Sequence, residues 1–123
     1  MKYMLLIYQN PANWQALPED ERTKVVAEAT AIFQELTDAG LWIDGQGLAD
    51  SSHTKTIRVR DGVPQITDGP FLEAKEQLAG YGLFEVDSPE QAIEIGVRWP
   101  DARYWAIELR PLMGQETAAG LEM

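Results

Sequence analysis

Cysteine is absent from this sequence of 123 residues, and histidine occurs once. The first absence excludes disulfide bonds and thiolate metal ligands, and the second leaves His53 without another imidazole to share a zinc ion. No apolar run approaches the roughly 20 residues that a membrane-spanning helix needs, and the apolar start is too short for a signal peptide. We therefore expect a cytoplasmic protein that uses no metal, no cofactor and no membrane.

Positive charge is also scarce, because 10 Lys and Arg residues stand against 20 Asp and Glu residues and give a net charge of −10. A chain this acidic repels phosphate backbones, so the sequence predicts no direct binding of nucleic acid. The simplest interpretation of the acidity is solubility. The length allows one core, and we place a single domain at residues 1–112 and a C-terminal tail at 113–123.

Hydrophobic periodicity predicts alternating strands and helices along the chain. The first strand is apolar on both faces, which is typical of a central strand covered on both sides. Asp61-Gly62 is a strong hairpin signal, and Ser88 with Gln91 forms a capping box at a helix start. In chain order the sequence predicts a strand at 2–8, a loop at 10–16, a helix at 19–38, a strand at 41–44, a hairpin at 55–60 and 63–67, a short helical piece at 72–77, a strand at 79–86, a helix at 89–99 and a strand at 104–110.

This order predicts an α+β fold with a ferredoxin-like β-α-β-β-α-β arrangement and an inserted hairpin. Two helices can cover only one face of a four-stranded sheet, whereas the first strand is apolar on both faces. The simplest cover for the second face is the same face of another copy of the chain. We therefore expect a homodimer.

The face of the sheet away from the helices combines aromatic side chains, carboxylates and one arginine. This mixture can line a cleft for a small-molecule ligand or form a polar dimer interface. His53, in a polar loop, is either a plain exposed side chain or a general acid or base. The residues expected on this face are drawn from Trp42, Asp44, Tyr81, Glu85, Tyr104, Glu108 and Arg110.

The local sequence Asp68-Gly69-Pro70-Phe71 predicts a turn. The Asp carboxylate can accept backbone N–H groups of its own turn, Gly can adopt a positive φ, and Pro fixes φ near −65°. Phe71 is expected to anchor the turn in the core. In this interpretation Asp68 only stabilises the turn.

The run from Asp68 to Tyr81, with the pattern D-G-P-F-x-E-x-K-E-Q-L-x-G-Y, resembles the signature of the YCII-related family in its DGPF-domain branch. The resemblance covers most of the chain, including the first strand and the stretch 106–111. It implies a ferredoxin-like dimeric α/β barrel. Shorter members carry a His–Asp pair suggested as catalytic, with the His on the first helix, but the helix predicted here at 19–38 holds no histidine.

The resemblance also indicates where a site would lie. It implies Asp68 as an acid/base carboxylate at the edge of the site, with Lys75 as a charge partner or an anion contact. Independently of the resemblance, the loop residue His53 is a further catalytic candidate. The expected ligand contacts are Asp44, Phe71, Glu73 and Tyr81. The function predicted is binding of a small molecule in a cleft of the barrel, by a cofactor-free enzyme. The alternative is a non-enzymatic accessory or regulatory dimer linked to sigma-factor transcription.

Overall fold

The computed structural model describes residues 1–72 and 74–114. The described residues form six strands, four α-helices and a 3-10 helix at Ser51–His53. In order the strands and α-helices are β1 (Lys2–Gln9), α1 (Pro11–Ala16), α2 (Glu19–Asp38), β2 (Trp42–Gly47), β3 (Lys55–Arg60), β4 (Val63–Asp68), β5 (Gln77–Glu85), α3 (Pro89–Arg98), α4 (Asp101–Tyr104) and β6 (Ala106–Pro111). No helix in these ranges is both long enough and apolar enough to cross a membrane.

The main sheet has the strand order β2-β5-β1-β6, and each neighbouring pair is antiparallel. Strand β1 therefore lies inside the sheet, as its two apolar faces predict. The mixed α+β class is confirmed, and this order is compatible with the predicted ferredoxin-like arrangement. Strands β3 and β4 form a separate two-stranded sheet, the inserted hairpin.

Strand register decides which side chains meet the helices. Tyr3 lies opposite Phe84, and Leu5 lies opposite Gly82 and Leu109, so these residues share one face. Helices α2 and α3 cover that face and form the core with it. The buried core cluster consists of Tyr3, Leu5, Ile32, Leu36, Phe84, Val86, Ala92, Ile95 and Trp99.

The opposite face, which we call the open face, carries Met4, Leu6 and Tyr8 of β1. These three side chains are half-buried. By register, Asp44, Tyr81, Glu85, Glu108 and Arg110 share this face, as the sequence predicts. The prediction is wrong for two residues, which do not lie on this face. Trp42 lies on the helix side, stacked on Trp99, and Tyr104 belongs to α4.

The two longer helices follow their sequence signals closely. Helix α3 begins at the capping box, where the Ser88 hydroxyl accepts from the Gln91 N–H at 3.2 Å, and the Gln91 side chain accepts from the Asp87 N–H. Its buried residues are Ala92, Ile95 and Gly96. Helix α2 lacks a side-chain cap but has three acidic residues in its first turn, which suits the positive end of a helix dipole.

Three local predictions are wrong. Residues 11–16 form a helix rather than a loop, because the Asn10 side chain caps it through the Asn13 N–H and Pro11 occupies its first turn. The described residues of 72–77 contain no helix. Phe71 is 66% exposed rather than anchored in the core, and the Arg58 guanidinium lies 5.2 Å from its ring centre.

Candidate functional site

A cleft of about 390 Å³ opens between α2 and the helix face of the main sheet. Its origin is a column of glycines. Gly80 of β5 lies opposite both Ile7 and Gly47, so two of the three neighbouring positions have no side chain to fill the space below α2. The gap between helix and sheet therefore stays open.

Trp42 closes one end of the cleft. Its ring lies over Gly45 and Gly82, where a β-carbon would collide with the indole. The ring stacks on Trp99 at 6.3 Å with an interplanar angle of 9°, and Phe33 meets it edge-on at 5.2 Å. Glycines in the sheet and aromatic rings on the helices thus fix the indole as one wall.

Asp101 lies in the wall of the same cleft. The residue is only 3% exposed, and its carboxylate accepts a hydrogen bond of 2.8 Å from the Gln9 amide. Burial raises the pKa of the Asp101 carboxyl above its usual value, although hydrogen bonds from Gln9 and Trp99 pull the pKa down. A carboxyl with a raised pKa keeps its proton to a higher pH than an exposed carboxyl does, which suits it to exchange a proton or a hydrogen bond with a ligand.

The rest of the lining is largely apolar. Val25, Val26 and Ala29 contribute from α2, and Trp14 contributes from α1. The described lining contains no Lys, Arg or His. This surface can hold a flat apolar molecule and offers it one buried acidic group.

Trp14 also borders a second cavity of about 250 Å³, which shares Gln9 and Ala79 with the cleft. The Trp14 ring lies 6.0 Å from that of Trp105. Helix α1, where the sequence predicts a loop, thus places an aromatic side chain between the two cavities.

The predicted catalytic residues lie away from this cleft. Asp68 forms an ion pair with Lys55 across the hairpin, and its side chain is 82% exposed. Lys75 and His53 are exposed. None of these three residues lines either cavity described above, so their roles stay predictions from the sequence.

The predicted ligand contacts are divided between two places. Tyr81 donates a hydrogen bond of 3.3 Å to Asp44 on the open face, and Tyr81 also contributes to the cleft lining. Phe71 lies at the base of the hairpin. Glu73 lies outside the described residues.

The turn after β4 is held by groups other than its own carboxylate. Gly69 has a φ of 93°, as predicted. Its N–H donates to the Thr54 carbonyl at 2.8 Å, and the Thr56 hydroxyl donates to the Gly69 carbonyl at 2.7 Å.

Sequence reasoning misses Gln9, Trp14 and Asp101 as members of the site. A signal for Asp101 is nevertheless present: it follows Pro100 directly, and proline with an acidic residue is a common helix start. The burial of its carboxylate carries no such signal, since it depends on how α4 meets β1. In residues 1–72 and 74–114, no group of three or more His, Asp or Glu side chains could hold a metal ion.

Comparison with known proteins gives two matches. A family model described as the YCII-related domain matches residues 1–114, which include every strand and helix above. An uncharacterized protein of Rhizobium meliloti (strain 1021) is 28% identical over 114 residues, or 91% of this chain and 92% of that protein.

Proposed function

Since the chain belongs to the YCII-related domain family, we propose that it binds a small organic molecule in the cleft between α2 and the main sheet, with Asp101 as the group that exchanges a proton or hydrogen bond with it. One observation carries the proposal: a buried carboxyl with a raised pKa lies in the wall of an aromatic cleft. Buried acids with shifted pKa values cluster at functional sites.

The lining indicates the class of ligand. Aromatic and aliphatic side chains dominate it, and its described residues include no cation that could pair with a carboxylate or phosphate. The net charge of −10 further disfavours an anion. A neutral, planar molecule with one hydroxyl or N–H group directed at Asp101 fits best.

The homodimer belongs to the same proposal. Met4, Leu6 and Tyr8 lie on the open face, which the helices of the described residues do not cover. The same face of a second copy would bury them and close the dimeric α/β barrel. Membership of the DGPF branch stays a prediction from the run between Asp68 and Tyr81.

Two alternatives from the sequence stay open to test. In one, Asp68 is the acid/base carboxylate of a cofactor-free enzyme, with Lys75 and His53 beside it. In the other, the protein is a non-enzymatic accessory or regulatory dimer linked to sigma-factor transcription. The position of Asp101 favours the cleft over the Asp68 turn as the ligand site.

The first prediction uses a matched pair of variants on α2. Ala29 lines the cleft, whereas Ala27 is exposed two residues earlier on the same helix. Ala29→Leu should fill the cleft and abolish binding, and Ala27→Leu should bind as the unmodified protein does. The measurement is the rise in melting temperature with indole or 2-naphthol, with 2-naphthoate as the anionic comparison.

The identity of the acidic group is tested by the pH dependence of 2-naphthol binding. Asp101→Asn should remove that dependence, and Asp68→Asn should leave it intact. If neither neutral compound stabilises the unmodified protein, or if Ala29→Leu binds them undiminished, the cleft is not the ligand site. If Asp68→Asn alone abolishes the pH dependence, the sequence-based assignment is right and ours is wrong.

A further inference from the structure

The hairpin of β3 and β4 has one apolar face and one polar face. Ile57 lies opposite Ile66, and Val59 lies opposite Pro64, so these four side chains share a face. The other face carries Thr56 with Thr67, Arg58 with Gln65, and Arg60 with Val63. This alternation is typical of a strand pair with one buried face.

Yet the apolar face is not buried within the chain. Ile57 and Ile66 are each 65% exposed, and Val59 is 56% exposed. None of these residues belongs to the core cluster or to the sheet that contains β1. An isolated two-stranded hairpin is at best marginally stable in water, so this face requires a cover.

The apolar area of this hairpin face is large enough for the interface of a stable dimer. Four side chains of this size present on the order of 400 Å² of apolar surface. In a dimer in which each copy covers the hairpin of the other, four surfaces of this size are buried: the two hairpin faces and the two surfaces that they contact. The total buried area is about 1,600 Å², the size of a standard stable interface. A single uncovered face already falls in the range of the largest apolar patches on monomers, about 300–600 Å².

Charge indicates which surface receives the hairpin. Strand β3 contains three cations, Lys55, Arg58 and Arg60, and no acidic residue. The hairpin from Lys55 to Asp68 holds three cations and two carboxylates, whereas the rest of the chain holds seven cations and eighteen carboxylates. A hairpin laid on another hairpin would bring together two segments of net charge +1, whereas a hairpin laid on the remainder of another copy, which has a net charge of −11, meets opposite charge.

We propose that each hairpin is an arm that lays its apolar face on the body of a second copy of this chain, where the body is every residue outside Lys55–Asp68. The contact is reciprocal, because a two-fold dimer repeats it. It is separate from the cleft and does not depend on any ligand.

The test uses the absence of cysteine, which makes one introduced thiol unique. Val59 and Val63 form a matched pair: they are 56% and 59% exposed, and they lie on opposite faces of the arm. The rate of maleimide labelling of Val59→Cys should fall about tenfold as the protein is concentrated from about 1 μM to about 100 μM, since association covers that face. The labelling rate of Val63→Cys should change little.

A second pair of variants checks that the apolar face is the cause. In the Val59→Cys background, Ile57→Lys with Ile66→Lys should abolish the concentration dependence, and Val63→Lys with Gln65→Lys, at exposed positions of the opposite face, should preserve it. Equal labelling rates for both thiols at every concentration would overturn the proposal. A disulfide formed between two copies of Val59→Cys would also overturn it, because that bond requires arm against arm.

Discussion

Asp101 shows how a single residue acquires chemical reactivity from its position. Its carboxyl is almost fully buried, and one amide donor from Gln9 lies 2.8 Å away. The sequence shows that Asp101 is an acidic residue after a proline, but it does not show that the carboxyl is buried. By contrast, the sequence motif around Asp68 is conspicuous, yet that carboxylate is exposed and paired with Lys55.

The raised pKa of Asp101 predicts how stability changes with pH. An unfolded Asp titrates near pH about 3.9, and burial raises the folded pKa above that value. Between the two pKa values the folded state holds more protons than the unfolded state, so stability falls as pH rises through this window. Above the folded pKa the full penalty of a buried charge is present.

Asp101→Asn cannot ionise and should escape that decline. The difference in unfolding free energy between the variant and the unmodified protein should shift in favour of the variant as pH rises from about 3 to about 7. Urea unfolding at a series of pH values measures it, with Asp61→Asn, in the exposed hairpin turn, as control. A difference that stays constant with pH would show that burial does not perturb Asp101.

At the scale of elements, the cleft exists because strands β2 and β5 lack side chains where they pass under α2. Helices α2 and α3 could be predicted almost to the residue, α2 from its periodicity and α3 from its periodicity and capping box. Helix α1 could not, because its only local signals are Asn10 and Pro11, which also suit a turn. The glycines resemble loop residues in the sequence, and their role emerges only when register sets them beneath Trp42.

Gly82 should be intolerant of any side chain. A β-carbon there would lie 2.5 Å from the Trp42 ring, so Gly82→Ala should destabilise the fold by about 1–3 kcal/mol through overpacking. Gly47→Ala is the control, because a β-carbon at that position would have nothing within 4 Å. Chemical denaturation measures both, and adding Trp42→Leu should relieve most of the Gly82→Ala penalty. Equal stability of the two alanine variants would contradict this account of the cleft.

At the scale of the whole molecule, the sequence predicts an arrangement compatible with the observed strand order, but it does not identify the partner of the open face. Apolar alternation in β1 predicts correctly that this strand lies inside a sheet. It does not fix which residues of β2 share each face, because one bulge between Trp42 and Asp44 shifts the register. That bulge is why Trp42 points toward the helices.

The molecular mass in solution tests the proposed homodimer directly. Light scattering at about 100 μM, the upper end of the labelling series, should give about twice the chain mass of 13.8 kDa. Leu6→Asp, in the middle of the open face, should reduce the mass to that of one chain. Ile93→Asp is the control, because Ile93 is 56% exposed on α3. A monomeric mass for the unmodified protein would rule out both the dimeric barrel and the proposed contact of the arm with a second copy.

The central position of β1 also shapes how the chain is made. Its two neighbours, β5 and β6, are translated long afterwards, the second of them ending at Pro111. At about 5–20 residues per second, the ribosome takes about 5–20 s to supply roughly 100 residues. The nascent strand, which is apolar on both faces, has no sheet partner until β5 is complete and only one partner until β6 follows. Premature termination before residue 106 would therefore release a fragment prone to aggregate.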